Sequence, residues 1–392
     1  VNRKENMMNN FEFHLTTDIL FGRNQEDALK EKLKPFGNRI LITYGGGSIK
    51  KSGLYDKLRN ILSDFEIYEL SGIEPNPRIE SVIRGVELCK EHDIDMILAV
   101  GGGSTIDCSK AIAAGRYFEG DLWDMIKYRK SIDKALPIAT VLTIAATGSE
   151  MNGGGVITNL STNEKLGFGS PKVMPKISVL NPENTFSVPK FHTACGSVDI
   201  ITHTCESYFD KVDALLQDEF CEAIIRTVVE YTPIVMENPE DYEGRAQIMW
   251  ASSWAINGLL RAGKNDRWSV HAIEHELSAY YDITHGLGLA IILPRWLRYI
   301  LSDETVDRIA RFAEKIWGVK SVNDKFIMAN KGLDRMEDFF RSLGLKLELS
   351  AHGIDDSKFE IMAEKAVRIG KLDRGYVSLT KEDVMEIFKM CK

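Results

Sequence analysis

The chain is poor in the residues that would announce several simple readings. Only six of its 392 residues are cysteine (Cys89, Cys108, Cys195, Cys205, Cys221, Cys391), with no CxxC pair and no regular spacing. Zinc-finger, thioredoxin and disulfide-scaffold readings therefore lack support, and the thiols read as buried and free. Positive charge is also short, since 49 Lys plus Arg against 57 Asp plus Glu leave a formal charge of -8. That balance argues against a nucleic-acid partner, whose phosphates a protein meets with clustered cations. No apolar run approaches the ~20 residues of a bilayer span, and Val1 to Asn10 is polar. Neither export nor a membrane partner is expected, and the cytoplasm is the expected compartment.

What is present is an ordinary soluble composition, 44% hydrophobic and 27% charged. At about 150 residues per domain, the length suits two or three domains or one large one. Between about 38 and 185 short apolar runs alternate with amphipathic stretches, the pattern of strands feeding helices in a parallel sheet. Strands are expected at 38–44, 65–70, 95–100, 136–144 and 177–180, with helices at 53–64 and 80–92. After Asn181-Pro182 and Pro189 the strand signals fade, and 221–235, 246–260 and 306–316 carry 3.6-residue apolar spacing. The expectation is an α/β domain over 1–188 and a helical domain over 189–392.

Two strands end in glycine triplets, Gly45-Gly46-Gly47-Ser48 and Gly101-Gly102-Gly103-Ser104. Glycine lets backbone turn sharply and approach a ligand, and a following helix offers unpaired N–H groups to phosphate. Neither loop is GxGxxG, and each alone is equally a tight turn. Two such loops at strand ends favour a dinucleotide, because ligands of open α/β sheets lie beyond the carboxyl ends of the strands. Asp107 and Lys110, just after the second triplet, either pair within their helix or orient the loop. Thr143 and the run Ala146-Thr147-Gly148-Ser149-Glu150 end another strand, where hydroxyls serve a ligand or cap a helix.

Asp199 and His203 are four apart in a helix-compatible stretch, so they share one face. His271 and His275 repeat the spacing, and His285 follows in ITHGLG. Imidazoles with one carboxylate suit Fe(II), Zn(II) or a neighbouring divalent ion. A lone histidine is more often a surface or hydrogen-bonded residue, which fits His14, His92, His192 and His352 but not this cluster. HExxH is absent, and Glu274 and Glu276 are expected to face away from the histidines.

At these residues the chain resembles the iron-containing (group III) alcohol dehydrogenases, most closely their NADPH-dependent butanol dehydrogenase branch. The resemblance runs from FGRN at Phe21 to the closing helices. It rests on the two GGGS loops, TGSEMN at Thr147 to Asn152, the Asp199/His203 pair and the His271, His275, His285 series. It implies a Rossmann-like amino-terminal domain, an all-helical carboxyl domain and a metal in the cleft between them, with a homodimer as the assembly. Carried over by motif, Asp199, His203, His271 and His285 would hold the metal, Fe2+ first and Zn2+ second. His275 would serve as proton relay. For the cofactor the resemblance points to Gly46, Gly47, Ser48, Asn76, Gly102, Gly103, Ser104, Thr143, Thr147, Asn152 and Lys165. Ala146 and Gly148 depart from the GTxxE form of many relatives.

The expected reaction is hydride exchange between NADP(H) and a small primary alcohol or aldehyde such as butanol or butanal. NADP(H) is expected over NAD(H) because the first triplet follows Thr43-Tyr44 with no carboxylate before Asp56, while Ser48, Lys50 and Lys51 could meet a 2'-phosphate. The alternatives are a glycerol dehydrogenase-like or dehydroquinate synthase-like enzyme of the same architecture, and a non-catalytic protein stapled by metal and nucleotide.

Overall fold

The computed structural model describes residues 7–265 and 267–392; of the polar opening segment, residues 1–6 lie outside the described residues. The chain forms two compact units. One takes 14–188 together with 238–257, and the other takes 7–13, 189–237 and 258–392. The change at Pro189 is where the strand signals end, but a single cut does not describe the units. The helix Tyr242–Ala255, expected among the helical half, belongs with the α/β unit. There Ser253 donates to the buried Glu150 carboxylate at 2.5 Å, and Trp250 packs edge-on against Phe21. Residues 7–13 are held in the helical unit, where the Asn9 N–H donates to Gly263 O at 2.8 Å.

The α/β unit is built on a six-stranded sheet of β1 (Asp18–Phe21), β2 (Arg39–Tyr44), β3 (Glu66–Leu70), β4 (Met96–Gly101), β5 (Ile138–Leu142) and β8 (Ile177–Leu180). Their order is β1-β8-β5-β4-β2-β3, and every pair is parallel. Both faces are covered, as a parallel sheet requires. Ile40 and Ile42 of β2 pack with Leu54 and Leu58 of the helix Leu54–Ile61, while Leu41 between them joins Val82, Val86 and Ile112 in the other core. Alternate residues of one strand thus feed opposite cores, which is why β2 reads as a continuous apolar run.

Three strands escape the sequence pattern. β1 is a four-residue edge strand with only two half-buried positions between exposed ends, too short to show alternation. β6 (Gly154–Asn159) and β7 (Glu164–Gly169) form an antiparallel hairpin, and four of their twelve residues are glycine, which weakens any strand signal.

The helical unit is centred on the helix Lys190–Tyr208, buried continuously from Thr193 to Tyr208. It packs against Leu215–Glu237 and His285–Tyr299. The approach of the last is set by Gly286, where a Cβ would lie 2.1 Å from Cys195 O. Val270–Tyr281 lies beside 285–299, and Val306–Lys315, Lys325–Ser342, Phe359–Gly370 and Lys381–Met390 complete the unit. Among the described residues no helix is long and apolar enough to cross a membrane.

Candidate active site

Three helices of the helical unit bring the polar cluster together. Asp199 and His203 lie one turn apart on 190–208, His271 and His275 one turn apart on 270–281, and His285 opens 285–299. Asp199 Oδ1 is the common vertex, 3.5 Å from His203 Nδ1, 3.7 Å from His271 Nε2 and 3.7 Å from His285 Nε2. The ligand atoms of Asp199, His271 and His285 all lie within 4.8 Å of one another. Donors of a tetrahedral ion at about 2.1 Å are separated by roughly 3.4 Å, so these spacings are those of a coordination shell. The chemistry agrees: among the described residues Asp199 Oδ1, His203 Nδ1 and His271 Nε2 are buried without a hydrogen-bond partner, and buried lone pairs converging in this way call for a cation. The residues fit a divalent metal.

The electrostatics follow from burial and proximity. Burial opposes ionisation of Asp199, yet the surrounding histidines overcome it and hold its carboxyl below the usual range. Burial pulls His203 down to about 3 against the pull of Asp199. His271 is desolvated too, but the carboxylates of Asp199 and Glu206 raise it to about 9.

Behind the cluster stand residues that the sequence reading missed or misplaced. Glu206, one turn beyond His203, faces His271 Nδ1 at 3.0 Å and accepts the backbone N–H groups of Ser269 (2.9 Å) and His271 (2.8 Å). Its signal was a carboxylate inside a stretch too apolar to reach solvent. Glu274, expected to face away, instead contacts His285 Nδ1, because the 285–299 helix starts against its side of 270–281. Glu276 is turned elsewhere, 3.3 Å from Lys365. Trp268 lays its ring 4.7 Å from that of His271 and 5.4 Å from that of His203. His275 is half-buried, its ring 5.6 Å from His285 and 6.3 Å from His271.

In the α/β unit the strand order brings the second set of candidate residues together. β2 pairs with β3 on one side and β4 on the other, so the chain reverses direction across the sheet there, and ligands of open α/β sheets bind at such a switch point. Tyr44 stands opposite Val100, which sets the two glycine triplets side by side, and Gly101 opposite Leu142 adds the loop starting at Thr143. The glycines have different reasons. At Gly102 a Cβ would meet Ile144 Cγ2 at 2.1 Å, and at Gly103 it would meet Thr147 at 2.3 Å, so both are required by loop packing. Gly47 has φ +94°, a left-handed conformation. Gly46 has neither constraint, with nothing within 4 Å of its Cβ position. Ser48 is exposed and Ser104 half-buried at the starts of the helices that follow.

Asp107 and Lys110 orient the neighbouring loop. Lys110 Nζ donates to Ser149 Oγ (2.7 Å), Asn152 Oδ1 (3.1 Å) and Gly154 O (2.7 Å), while Asp107 accepts from Ser149 Oγ (2.5 Å) and Val156 N (2.9 Å). Burial pushes Asp107 up and pulls Lys110 down to about 8. Asn152 is committed to the same loop, its amide donating to Gly148 O and accepting from Gly154 N. Thr147 Oγ1 accepts from Ser149 N, and Thr143 N bonds Gly101 O. Lys165 on β7 reaches Asn76 Oδ1 at 2.9 Å, both buried, with Asn76 at φ 53°. Glu69, on the strand beside β2, was missed: it accepts from Tyr44 OH at 2.7 Å and from Tyr55 OH, and lies 3.7 Å from Lys50 Nζ.

The family models for iron-containing alcohol dehydrogenase and for its C-terminal domain match residues 16–182 and 193–391. The chain belongs to the iron-containing alcohol dehydrogenase family. It is an oxidoreductase of that class, taking a nicotinamide cofactor and a divalent metal. It is 50% identical over 390 residues to NADH-dependent butanol dehydrogenase A of Clostridium acetobutylicum, covering 97% of this chain and 99% of the relative. With NADPH-dependent aldehyde reductase YqhD of Escherichia coli it shares 38% identity over 94% of this chain and 95% of that protein. The crystal structure of NADH-dependent butanol dehydrogenase A from Thermotoga maritima superposes with a TM-score of 0.94 at 39% identity, covering 98% of this chain and 99% of that one. These findings favour the dehydrogenase over the dehydroquinate synthase-like and non-catalytic alternatives.

Proposed function

We propose that this chain exchanges hydride between NADP(H) and a small primary alcohol or aldehyde, with butanal as the test substrate. The observation that carries the reading is the convergence of Asp199, His203, His271 and His285, the first three buried. A divalent ion held there, Fe2+ by preference, supplies Lewis-acid polarisation of the substrate oxygen. His275, beside the cluster and half-buried, is placed in this reading to give a proton to the oxygen during reduction and to recover one from solvent, which imidazole does near neutral pH. In balance, aldehyde, NADPH and one proton give alcohol and NADP+.

In the same reading the loops at 45–48, 101–104 and 143–152 carry the cofactor, with Asn76 and Lys165 completing the site. Gly46 supports this best, because no demand of the protein's own packing explains its missing side chain. For the 2'-phosphate the candidates are Ser48, Lys50 and Lys51. Glu69 competes for Lys50, which leaves exposed Lys51 the larger share. The relatives' names differ in cofactor, NADH for the butanol dehydrogenases and NADPH for YqhD. The expected assembly is a homodimer and the expected compartment the cytoplasm; sedimentation of the purified chain checks the former.

Mixing the metal-loaded chain with NADPH and butanal tests the activity. Absorbance of the reduced nicotinamide should fall, and a chain that binds both metal and NADPH yet consumes none under any small aldehyde refutes the reading. Steady-state rates with both cofactors test the preference. A higher kcat/KM with NADH, or an unchanged preference after replacing Lys50 and Lys51 together by Ala, counts against the phosphate assignment.

A further inference from the structure

We infer that Glu206 and Glu274 are positioning residues for the metal, each fixing one imidazole ligand through its far nitrogen, and that Gly288 exists to keep Glu274 in place. The inference rests on the reading that Asp199, His203, His271 and His285 hold the ion.

A neutral imidazole carries one N–H and one lone pair. His271 turns Nδ1 to Glu206 and Nε2 to Asp199, and His285 turns Nδ1 to Glu274 and Nε2 to Asp199. A carboxylate accepts only from an N–H, so each pair selects the tautomer whose Nε2 lone pair points into the cluster. Such partners also raise the donor strength of the ring and restrict its rotation. His203 differs: its Nδ1 has no hydrogen-bond partner among the described residues and lies toward Asp199. Two of the three imidazoles are therefore braced by charge, and the third by its stacking on His271 at 4.6 Å.

The two carboxylates are not equivalent. Glu206 also accepts the N–H groups of Ser269 and His271 at the start of the 270–281 helix, so removing it disturbs the fold as well as the ring. Glu274 takes Ser278 Oγ at 2.5 Å on its second oxygen. Both are almost fully buried, at 3% and 0% exposure, where an ionised carboxylate is costly unless paired. Gly288, one turn past the start of 285–299, faces Glu274: an added Cβ would lie 2.7 Å from its Cγ and Oε1. A methyl there would press first on the Glu274 carboxylate, whose atoms are the nearest to it, and displace it from His285.

The experiment measures Zn2+ affinity of the full chain by competition with a chromophoric chelator, together with the visible spectrum of the Co2+ form. Glu274→Ala should weaken binding about 10–100-fold, the range found on loss of such partners. Glu274→Gln should fall between, because its carboxamide oxygen still accepts the Nδ1 proton without the charge. Gly288→Ala should weaken binding in the same direction, and each variant should alter the Co2+ bands, which a merely structural role would leave alone. If Glu274→Gln and Glu274→Ala fold with wild-type circular dichroism, bind Zn2+ within twofold of the wild type and keep its Co2+ spectrum, the inference is wrong. Asp199→Ala separates the two failures: if it too binds like the wild type, the metal-site reading falls and takes this inference with it.

Discussion

The two units carry their chemistry in different parts of the polypeptide. In the helical unit the candidate site is made of side chains: one aspartate and three histidines on three helices, all but His285 buried, with two further carboxylates behind them. In the α/β unit it is made of backbone: loops whose small residues leave room, at strand ends that the sheet order sets side by side. Side-chain sites need particular residue types and therefore show in a sequence as unusual residues at regular spacing. Backbone sites need absence of side chains, and glycine serves turns and packing as readily as ligands. The comparison of Gly46 with Gly102 makes this concrete, since identical residues in matching triplets answer to different demands.

The sharpest way to break the comparison lies within the side-chain site. His271→Ala should lose metal and activity together, because one of the four proposed donors is gone. His275→Ala should retain metal while turnover falls by about 10²–10⁴, the usual worth of a positioned acid or base. Metal content by elemental analysis beside kcat decides it, and equal metal loss in both variants would erase the distinction between ligand and relay.

The backbone site is sharpened by a pair of alanines. Gly102→Ala forces a methyl onto Ile144 and should destabilise the α/β unit by about 1–3 kcal/mol, as overpacking does. Gly46→Ala should leave thermal stability unchanged while weakening cofactor binding about tenfold, near 1.4 kcal/mol. Thermal melts and fluorescence titration with NADPH read the two effects, and a destabilised Gly46→Ala with normal cofactor binding would return that glycine to an ordinary turn.

The smallest expected effect concerns a buried brace in the α/β unit. Glu26 is fully buried and accepts from Lys57 Nζ (2.9 Å), Asn181 Nδ2 (3.0 Å) and Asn184 Nδ2 (2.8 Å). Burial raises its carboxyl, but these partners outweigh burial and hold it below its usual value. A depressed carboxyl pKa contributes stability that is present above the unfolded value, about 4.3, and is lost as pH falls through the folded one. Glu26→Gln should therefore flatten the acid limb of stability below about pH 4.3, measured by denaturant melts across pH. An acid limb as steep as the wild type's would mean that Glu26 titrates alike in both states.

Much of this was legible in the sequence. The strand at 177–180 falls where its apolar run predicts, β2, β3 and β5 lie within the expected runs, and β4 is displaced from its run by one residue. Of these, β2, β4, β5 and β8 have their side chains buried on both faces, so hydrophobicity alone marks them, while the edge strand β3 is half-exposed. The hairpin of β6 and β7 was not legible, because its glycines carry no pattern, and neither was the allegiance of the 242–255 helix, whose apolar spacing says only that one face is buried.

By itself the sequence determined the elements and the unusual residues: the α/β half, the helical half, the paired glycine loops, and Asp199 with its histidines at i,i+4 spacing. These follow from local rules, since periodicity, turn chemistry and residue type act over a few residues. Only the tertiary structure decided that β2 and β4 are neighbours, that Asp107 and Lys110 serve the 149–156 loop, and that Glu206 and Glu274 stand behind His271 and His285 while Glu276 does not. Each of those depends on which distant segment fills the space beside a residue. That is settled by packing and hydrogen-bond demand across the whole unit, and no stretch of neighbouring sequence encodes it.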